Sequence, residues 1–160
     1  MKSLELLSPA GSAEAGMAAV KYGADAVYIG APRFGARKAA GNSLNEIEKL
    51  IHYSHQYRAK VYIALNTILD DKEIYEAGKL IHECYNIGAD AIIIQDMGIL
   101  ELNLPPIPLF ASTQTNNISW QKVQFLEKCG FQRVILGREL SVEEIKEIRS
   151  QTSVDLESFV

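Results

Sequence analysis

One pattern, a short apolar run followed by a helical stretch, recurs along the whole chain and restricts what it can fold into. The run at residues 91–94 (AIII) has no polar member, which is typical of strands buried on both faces of a parallel sheet. The stretch that begins at Ser43 places Ile47, Leu50 and Ile51 on one face, at the 3.6-residue period of a helix. The alternation therefore predicts a series of βα units.

Three junctions between a helix and the next strand resemble one another. They are residues 22–27 (YGADAV), 87–92 (IGADAI) and 129–134 (CGFQRV). Each places Gly just past a helix end, where a left-handed backbone favours Gly, and then begins a strand. Such repetition of one supersecondary unit predicts an array of about seven strands and six helices. The first strand is expected at residues 4–7, before a turn at 8–11.

This array predicts an α/β fold, an incomplete parallel (β/α) barrel of the TIM type. A doubly wound sheet is the alternative, and it is disfavoured because no G-x-G-x-x-G follows the first strand. On this interpretation residues 1–160 are the N-terminal portion of a single barrel domain, truncated before closure. The unclosed barrel would leave two strand edges unpaired, so we expect a homo-oligomer that forms through those edges.

Charge and hydropathy exclude some classes of protein. With 16 basic and 20 acidic residues, the net charge of −4 disfavours a surface that grips nucleic acid by charge alone, although a local basic patch stays open. No apolar run reaches the roughly 20 residues that span a bilayer, and the first residues lack the features of a signal peptide. We therefore expect a cytoplasmic protein without membrane contact.

The residues that follow the strands are the candidates for function, because barrel enzymes build their sites on the loops after the strands. Arg138 and Glu139 follow one strand, and Asp96 follows another. A guanidinium group can hold a carboxylate or phosphate, and a carboxylate can act as a general base, so we predict these three residues to be catalytic. An ion pair between loops that closes the rim is the structural alternative.

A second set of strand-end residues is predicted to bind substrate. Arg33 and Arg37 flank Phe34 in the longest loop, where a basic loop with an aromatic ring could bind an anionic ligand. A solvated loop is the alternative there. The full predicted substrate-binding set is Arg33, Arg37, Asn66, Gln95, Ser112 and Gln114.

The familiar catalytic motifs are absent from the sequence. It contains no G-x-S-x-G elbow, no H-E-x-x-H and no P-loop. His52 and His55 lie three residues apart on a helix, whose faces in this fold point outward or toward the strands. No metal site is therefore predicted. Cys84 and Cys129 form no C-x-x-C pair and are interpreted as buried reduced thiols.

Several ordered motifs resemble those of the collagenase-like peptidases of unknown catalytic type, peptidase family U32. The motifs are residues 6–11 (LLSPAG), 22–30 (YGADAVYIG), 65–67 (LNT), 95–96 (QD), 111–114 (ASTQ) and 138–141 (RELS). The resemblance covers the whole chain and implies a peptidase, a class associated with collagen degradation. Other members resemble proteins that hydroxylate a pyrimidine of tRNA or rRNA, or a ubiquinone precursor; some of them use prephenate. The alternatives are therefore part of an RNA- or quinone-hydroxylating enzyme, or a non-catalytic fragment that associates with itself.

The same resemblance bears on cofactors. The family signature begins with Glu-x-Phe, which Glu157 and Phe159 match, and continues through His-Gly to several cysteines. The hydroxylating members hold an iron–sulfur cluster on cysteines, but Cys84 and Cys129 occupy no signature position. We therefore expect no cofactor within this chain, and an iron–sulfur cluster only in a longer form.

Overall fold

The computed structural model describes residues 4–35 and 42–160, and its centre is one parallel sheet. The seven strands lie in sequence order, each hydrogen-bonded to the next. They are β1 (Leu7–Ala10), β2 (Ala26–Gly30), β3 (Lys60–Leu65), β4 (Ala91–Ile94), β5 (Leu109–Ala111), β6 (Arg133–Ile135) and β7 (Asp155–Glu157). The predicted parallel α/β fold is confirmed.

Within the described ranges, five α-helices connect the strands. They are α1 (Ala13–Lys21), α2 (Leu44–Gln56), α3 (Glu73–Asn86), α4 (Trp120–Lys128) and α5 (Val142–Gln151). The array predicts six helices, but in the described residues the connection between β4 and β5 contains a 3-10 turn at Met97–Glu101 in place of an α-helix. Pro105 and Pro106 follow closely and leave too few residues for several α-helical turns before β5.

Strand β1 differs from its prediction. It was expected at residues 4–7, but it covers Leu7–Ala10 and includes Pro9. Proline has no N–H to donate, yet it is tolerated because β1 is an edge strand whose partner in the sheet is β2.

Local signals in the sequence place the helix ends correctly. Ser43 and Glu46 form a reciprocal capping box at the start of α2, with the Ser43 N–H donating to the Glu46 carboxylate at 2.7 Å. Ser141 and Glu144 repeat it at the start of α5. Past three of the helices, Gly23, Gly88 and Gly130 have φ of 102°, 92° and 95°, as the three junctions predict.

The sheet curls into an open half-barrel. In a flat sheet with strands about 4.8 Å apart, β1 and β6 would be separated by about 24 Å. Instead, the carboxylate of Glu5, just before β1, lies 2.7 Å from the guanidinium of Arg133 on β6. The two ends of the sheet therefore curve toward each other around a shared interior, which we call the lumen.

Two layers of apolar side chains form the core. The larger lies between the outer face of the sheet and the helices, and it includes Ile29, Leu50 and Ile81. The smaller fills the lumen with inward-facing side chains from successive strands: Ala26, Tyr62, Ala64, Ala91, Ile93, Phe110 and Ile135. Among the helices that the structure describes, none is long and apolar enough to cross a membrane.

Candidate functional site

A pocket of about 180 Å³ lies at the carboxyl ends of the strands, where the lumen opens. Its floor is made by inward-facing residues such as Ile93 and Ile135. Four predicted site residues line it: Asn66, Ser112, Gln114 and Arg138. Pockets for drug-sized ligands measure about 300–1,000 Å³, so this one suits a single small ring.

Arg138 lies on an aromatic partner at the pocket wall. Its guanidinium carbon is 4.4 Å from the ring centroid of Phe159, which also lines the pocket. Both side chains are exposed, so the pair presents a cationic group and an aromatic ring at the pocket wall. The neighbouring Glu139 is not among the lining residues, and its carboxylate folds back toward Gly137.

Asp96 serves as a backbone cap. Its Oδ2 accepts a hydrogen bond from the Leu69 N–H and its Oδ1 accepts one from the Gly98 N–H, both at 2.9 Å. The carboxylate thereby joins the loop after β3 to the 3-10 turn after β4. Asp96 and Gln95 are half-buried beside the pocket and do not line it. Their catalytic and binding roles stay predictions.

The loop after β2 contributes less to the pocket than expected. Arg33 forms an ion pair with Glu76 of α3 at 2.7 Å and lies over the ring of Phe34, 4.9 Å from its centroid. Gly35 from this loop does line the pocket. The other predicted cation, Arg37, lies outside the described residues.

A buried asparagine holds the loop between β5 and α4 in place, and sequence reasoning did not identify it. Asn117 is 0% exposed, and its Nδ2 donates to the carbonyls of Ser112 at 2.9 Å and Ile135 at 2.8 Å. It therefore fastens the end of β5 to the end of β6. Ser112, 2% exposed, accepts a hydrogen bond from the Gln114 N–H on its Oγ at 3.2 Å.

An ionic network lies below the pocket, and sequence reasoning missed it too. Arg133 points into the lumen, where its Nη1 donates to Glu5 at 2.7 Å and to Glu157 at 3.3 Å. Its guanidinium carbon is 4.5 Å from the ring centroid of Phe110 and 5.3 Å from that of Tyr62. Glu157 also lines the pocket, so the network reaches the site.

The pKa values of the two carboxyl groups in this network are shifted in opposite directions. For Glu5, burial raises the pKa, but hydrogen bonds from Arg133 and Tyr62 and nearby positive charges outweigh it, so the pKa is lowered. For Glu157, burial dominates; Arg133 offsets it only in part, and the pKa is raised. The Tyr62 hydroxyl donates to both oxygens of Glu5 at 2.9 Å, and burial raises the pKa of this phenol.

The sequence would have allowed Glu157 and Phe159 to be identified. They form the Glu-x-Phe start of the family signature, at the end of β7 and two residues beyond it, and both side chains line the pocket. Arg133 gave no such signal, because a cation inside a barrel lumen cannot be distinguished by sequence from one on a strand surface.

The cysteines do not fit an iron–sulfur cluster, which typically takes four thiolate ligands. The chain has two cysteines, Cys84 and Cys129. Cys84 is 0% exposed in the outer core, and burial raises the pKa of its thiol to about 12, so it stays neutral. Within residues 4–35 and 42–160, no group of three or more His, Cys, Asp or Glu side chains could hold a metal ion.

The curled parallel sheet and the pocket at its carboxyl end define a protein of the (β/α)-barrel class. The chain belongs to peptidase family U32, whose sequence profile matches residues 11–160. Solved structures agree with this fold. The U32 peptidase Mk0906 superposes with a TM-score of 0.80 at 16% identity, over 99% of this chain and 69% of that one. A 2,3-dimethylmalate lyase gives a TM-score of 0.65 at 14% identity, over 98% and 66%.

Curated relatives carry two kinds of name. The chain is 49% identical over 157 residues to a 23S rRNA 5-hydroxycytidine C2501 synthase of Escherichia coli, covering 98% of this chain and 24% of the relative. It is 37% identical to a tRNA hydroxylation protein P of the same organism, covering 98% and 36%. An uncharacterized protease of Methanocaldococcus jannaschii is 34% identical, covering 100% and 41%. The chain thus spans well under half of each of these relatives.

Proposed function

We propose that the chain is the barrel part of an RNA-hydroxylating protein and that its pocket binds the pyrimidine base that is modified. The observation that carries this proposal is the Arg138–Phe159 pair at the pocket wall, 4.4 Å apart. Bases that are drawn out of RNA stack on aromatic rings and guanidinium planes, and here both groups border one small pocket. The names of the rRNA and tRNA relatives support RNA over a quinone as the substrate.

The chain's own contribution is to bind and orient the base. The Arg138–Phe159 surface offers a face for stacking, while Asn66, Gln114 and Glu157 offer hydrogen-bonding groups around its edge. Because the net charge is −4, the attraction for RNA depends on local cations such as Arg138. We also propose that the protein is cytoplasmic, because RNA is available there.

The test is mass spectrometry of nucleosides from rRNA and tRNA of cells with and without the gene. A pyrimidine nucleoside that carries one additional oxygen should disappear on deletion and return when the intact gene is restored. Unchanged nucleosides in the deletion strain would overturn the proposal.

Complementation of the deletion strain with variant genes tests whether the pocket residues matter more than other residues at the rim. Arg138→Ala should restore little of the modified nucleoside, with a melting temperature near that of the wild type, because the side chain is exposed. Glu139→Ala measures whether the adjacent carboxylate contributes as predicted. Lys146→Ala, an exposed change on α5, is the control.

Peptide hydrolysis is the second candidate, favoured by the family's name and by the M. jannaschii relative. The geometry supports it less well. The Ser112 hydroxyl contacts the Gln114 N–H, whereas His55 lies against Asp90 at 2.9 Å and His82 against the Asn103 carbonyl at 2.9 Å. Release of fluorescent peptides from labelled gelatin by the purified protein, abolished by Ser112→Ala, would favour this candidate.

A further inference from the structure

We propose that Asn117 is a positioning residue of the pocket: by linking the ends of β5 and β6, it holds Gln114 and Arg138 in the arrangement that binds a pyrimidine base. The inference rests on the proposed function, because it assumes that a base occupies the pocket. Asn117 does not line the pocket, so it acts through the residues that do. Its proposed effect is on how tightly a base is bound, and it takes no part in choosing between bases.

The ends of β5 and β6 are the first step. The backbone pairing between these strands has two residue pairs and ends at Ala111 and Val134. The carbonyls of the next residues, Ser112 and Ile135, both accept a hydrogen bond from Nδ2 of Asn117, at 2.9 Å and 2.8 Å. The side-chain amide therefore continues the link between the two strands beyond the point where their direct pairing ends.

The backbone of Asn117 makes the second link. Its carbonyl accepts a hydrogen bond from the N–H of Gly137 at 3.1 Å, and Gly137 directly precedes Arg138. On the other strand, Ser112 lies two residues before Gln114, whose N–H donates to the Ser112 hydroxyl at 3.2 Å. Asn117 is thus bonded to both of the segments that carry the pocket-lining side chains Gln114 and Arg138.

The orientation of the Asn117 side chain is fixed as well. The Thr115 hydroxyl donates to Oδ1 of Asn117 at 2.6 Å, which leaves Nδ2 facing the two carbonyls. Because the side chain of Asn117 is 0% exposed, water does not compete for these hydrogen bonds. The amide is therefore held in one arrangement by a group of its own loop.

The effect on binding follows from preorganisation. In the wild type, Gln114 and Arg138 extend from segments whose backbone is already fixed. Without Nδ2 of Asn117, the carbonyls of Ser112 and Ile135 lose their side-chain donor, and the two segments are free to shift against each other. A ligand must then order both segments when it binds, and this cost weakens its affinity.

The experiment is isothermal titration of the whole chain with cytidine 5′-monophosphate, at a temperature where circular dichroism shows each variant to be folded. Asn117→Ala should bind the nucleotide about tenfold more weakly than the wild type, within the cost of ordering two side chains. The control is Ile81→Ala, a buried change on α3 away from the pocket, which should lose comparable stability and bind as the wild type does. A merely structural role predicts equal affinities for the two folded variants.

Thr115 offers a second and milder test, because it does not line the pocket. Thr115→Val removes the hydroxyl that holds Oδ1 of Asn117 and keeps the shape of the side chain, whereas Thr115→Ser keeps the hydroxyl. The valine variant should bind the nucleotide severalfold more weakly, and the serine variant should bind it as the wild type does. If Asn117→Ala does not fold, this pair decides the question, and equal affinities in the pair would contradict the proposal.

Three results would overturn the inference: wild-type affinity in folded Asn117→Ala, equal weakening in Asn117→Ala and Ile81→Ala, or no binding of the nucleotide by the wild type at millimolar concentration. The proposed function is judged separately by the nucleosides of the deletion strain. A lost hydroxypyrimidine together with wild-type affinity in Asn117→Ala would leave the function standing without the positioning role.

Discussion

Glu5 and Arg133 are 128 residues apart in the sequence, yet Oε1 of Glu5 accepts a hydrogen bond from Nη1 of Arg133 at 2.7 Å. The contact joins the segment before β1 to β6 across the lumen. It also brings Tyr62 and Lys60 of β3 to the same carboxylate, at 2.9 Å and 3.6 Å. One carboxylate thus connects three distant parts of the sheet.

Arg133→Met is expected to lower the free energy of unfolding by about 3 kcal/mol, because it leaves Glu5 and Glu157 without their shared partner. Denaturation in urea measures the loss. Lys146→Met, an exposed change on α5, should cost less than about 0.5 kcal/mol. The double variant Glu5→Gln/Arg133→Met should lose less than the sum of the single losses, and strict additivity would contradict the pairing.

Glu5→Gln should destabilise the protein at neutral pH but not in acid. Because the pKa of Glu5 is lowered from 4.5 in the folded state, its ionised form stabilises the fold above about pH 4.5. That stabilisation is lost as the pH falls through the lowered pKa. Thermal melts across pH should therefore converge for variant and wild type in acid. A difference in melting temperature between variant and wild type that stays constant with pH would contradict the stabilising role of ionised Glu5.

The change in stability at neutral pH caused by Glu157→Gln should have the opposite sign to the change caused by Glu5→Gln. Because burial raises the pKa of Glu157 above 4.5, the folded state binds the proton more tightly, and the carboxylate costs stability as the pH rises. The variant is expected to be at least as stable as the wild type at pH 7, and the two should converge near pH 4. A melting temperature lowered at pH 7 as much as in Glu5→Gln would contradict this.

Asn117→Ala should cost about 3 kcal/mol, because it leaves the carbonyls of Ser112 and Ile135 without their side-chain donor in a buried site. Urea denaturation is again the measurement. The neighbouring Asn116 has φ of 61°, a left-handed conformation that glycine adopts readily, so Asn116→Gly is the matched control and should not destabilise. Equal losses in the two variants would argue against a structural role for Asn117.

Association through the strand edges remains a prediction from the sequence. Strands β1 and β7 are the two ends of the sheet in the described residues, and such edges can pair with another chain. Light scattering should give a mass above the 17.7 kDa of one chain at high concentration. Leu6→Lys, which places a charge next to β1, should lower that mass. A mass of one chain at every concentration would contradict the prediction.

The sequence predicted the regular parts of the fold because their causes are local. The start of α2 at Ser43 and the glycine at Gly23 past the end of α1 each depend on a few neighbouring residues. Strand β1 was misplaced because the tolerance for Pro9 depends on its place at the sheet edge, which is a property of the whole fold.

The site was predicted only in part, because some of its features depend on local sequence and others on the whole fold. Asn66 and Arg138 could be placed at the pocket because each follows a strand. Asp96 also follows a strand, but its oxygens accept hydrogen bonds from backbone N–H groups. This difference could not be predicted from the sequence, because it depends on the path of the loop after β3. Arg133 and Glu5 could not be paired from sequence, since only the curvature of the sheet brings them together.

The network around Arg133 has a consequence for the order in which the molecule folds. One of its partners, Glu5, lies 128 residues away in the segment before β1, so this contact forms only after the sheet has curled, and contacts of such long range are slow to form. The helices and the pairs of neighbouring strands, β6 with β7 included, can form earlier because their residues are closer in the sequence. The contact with Glu5 would then close last, so Arg133 lacks its nearest carboxylate until the final steps of folding.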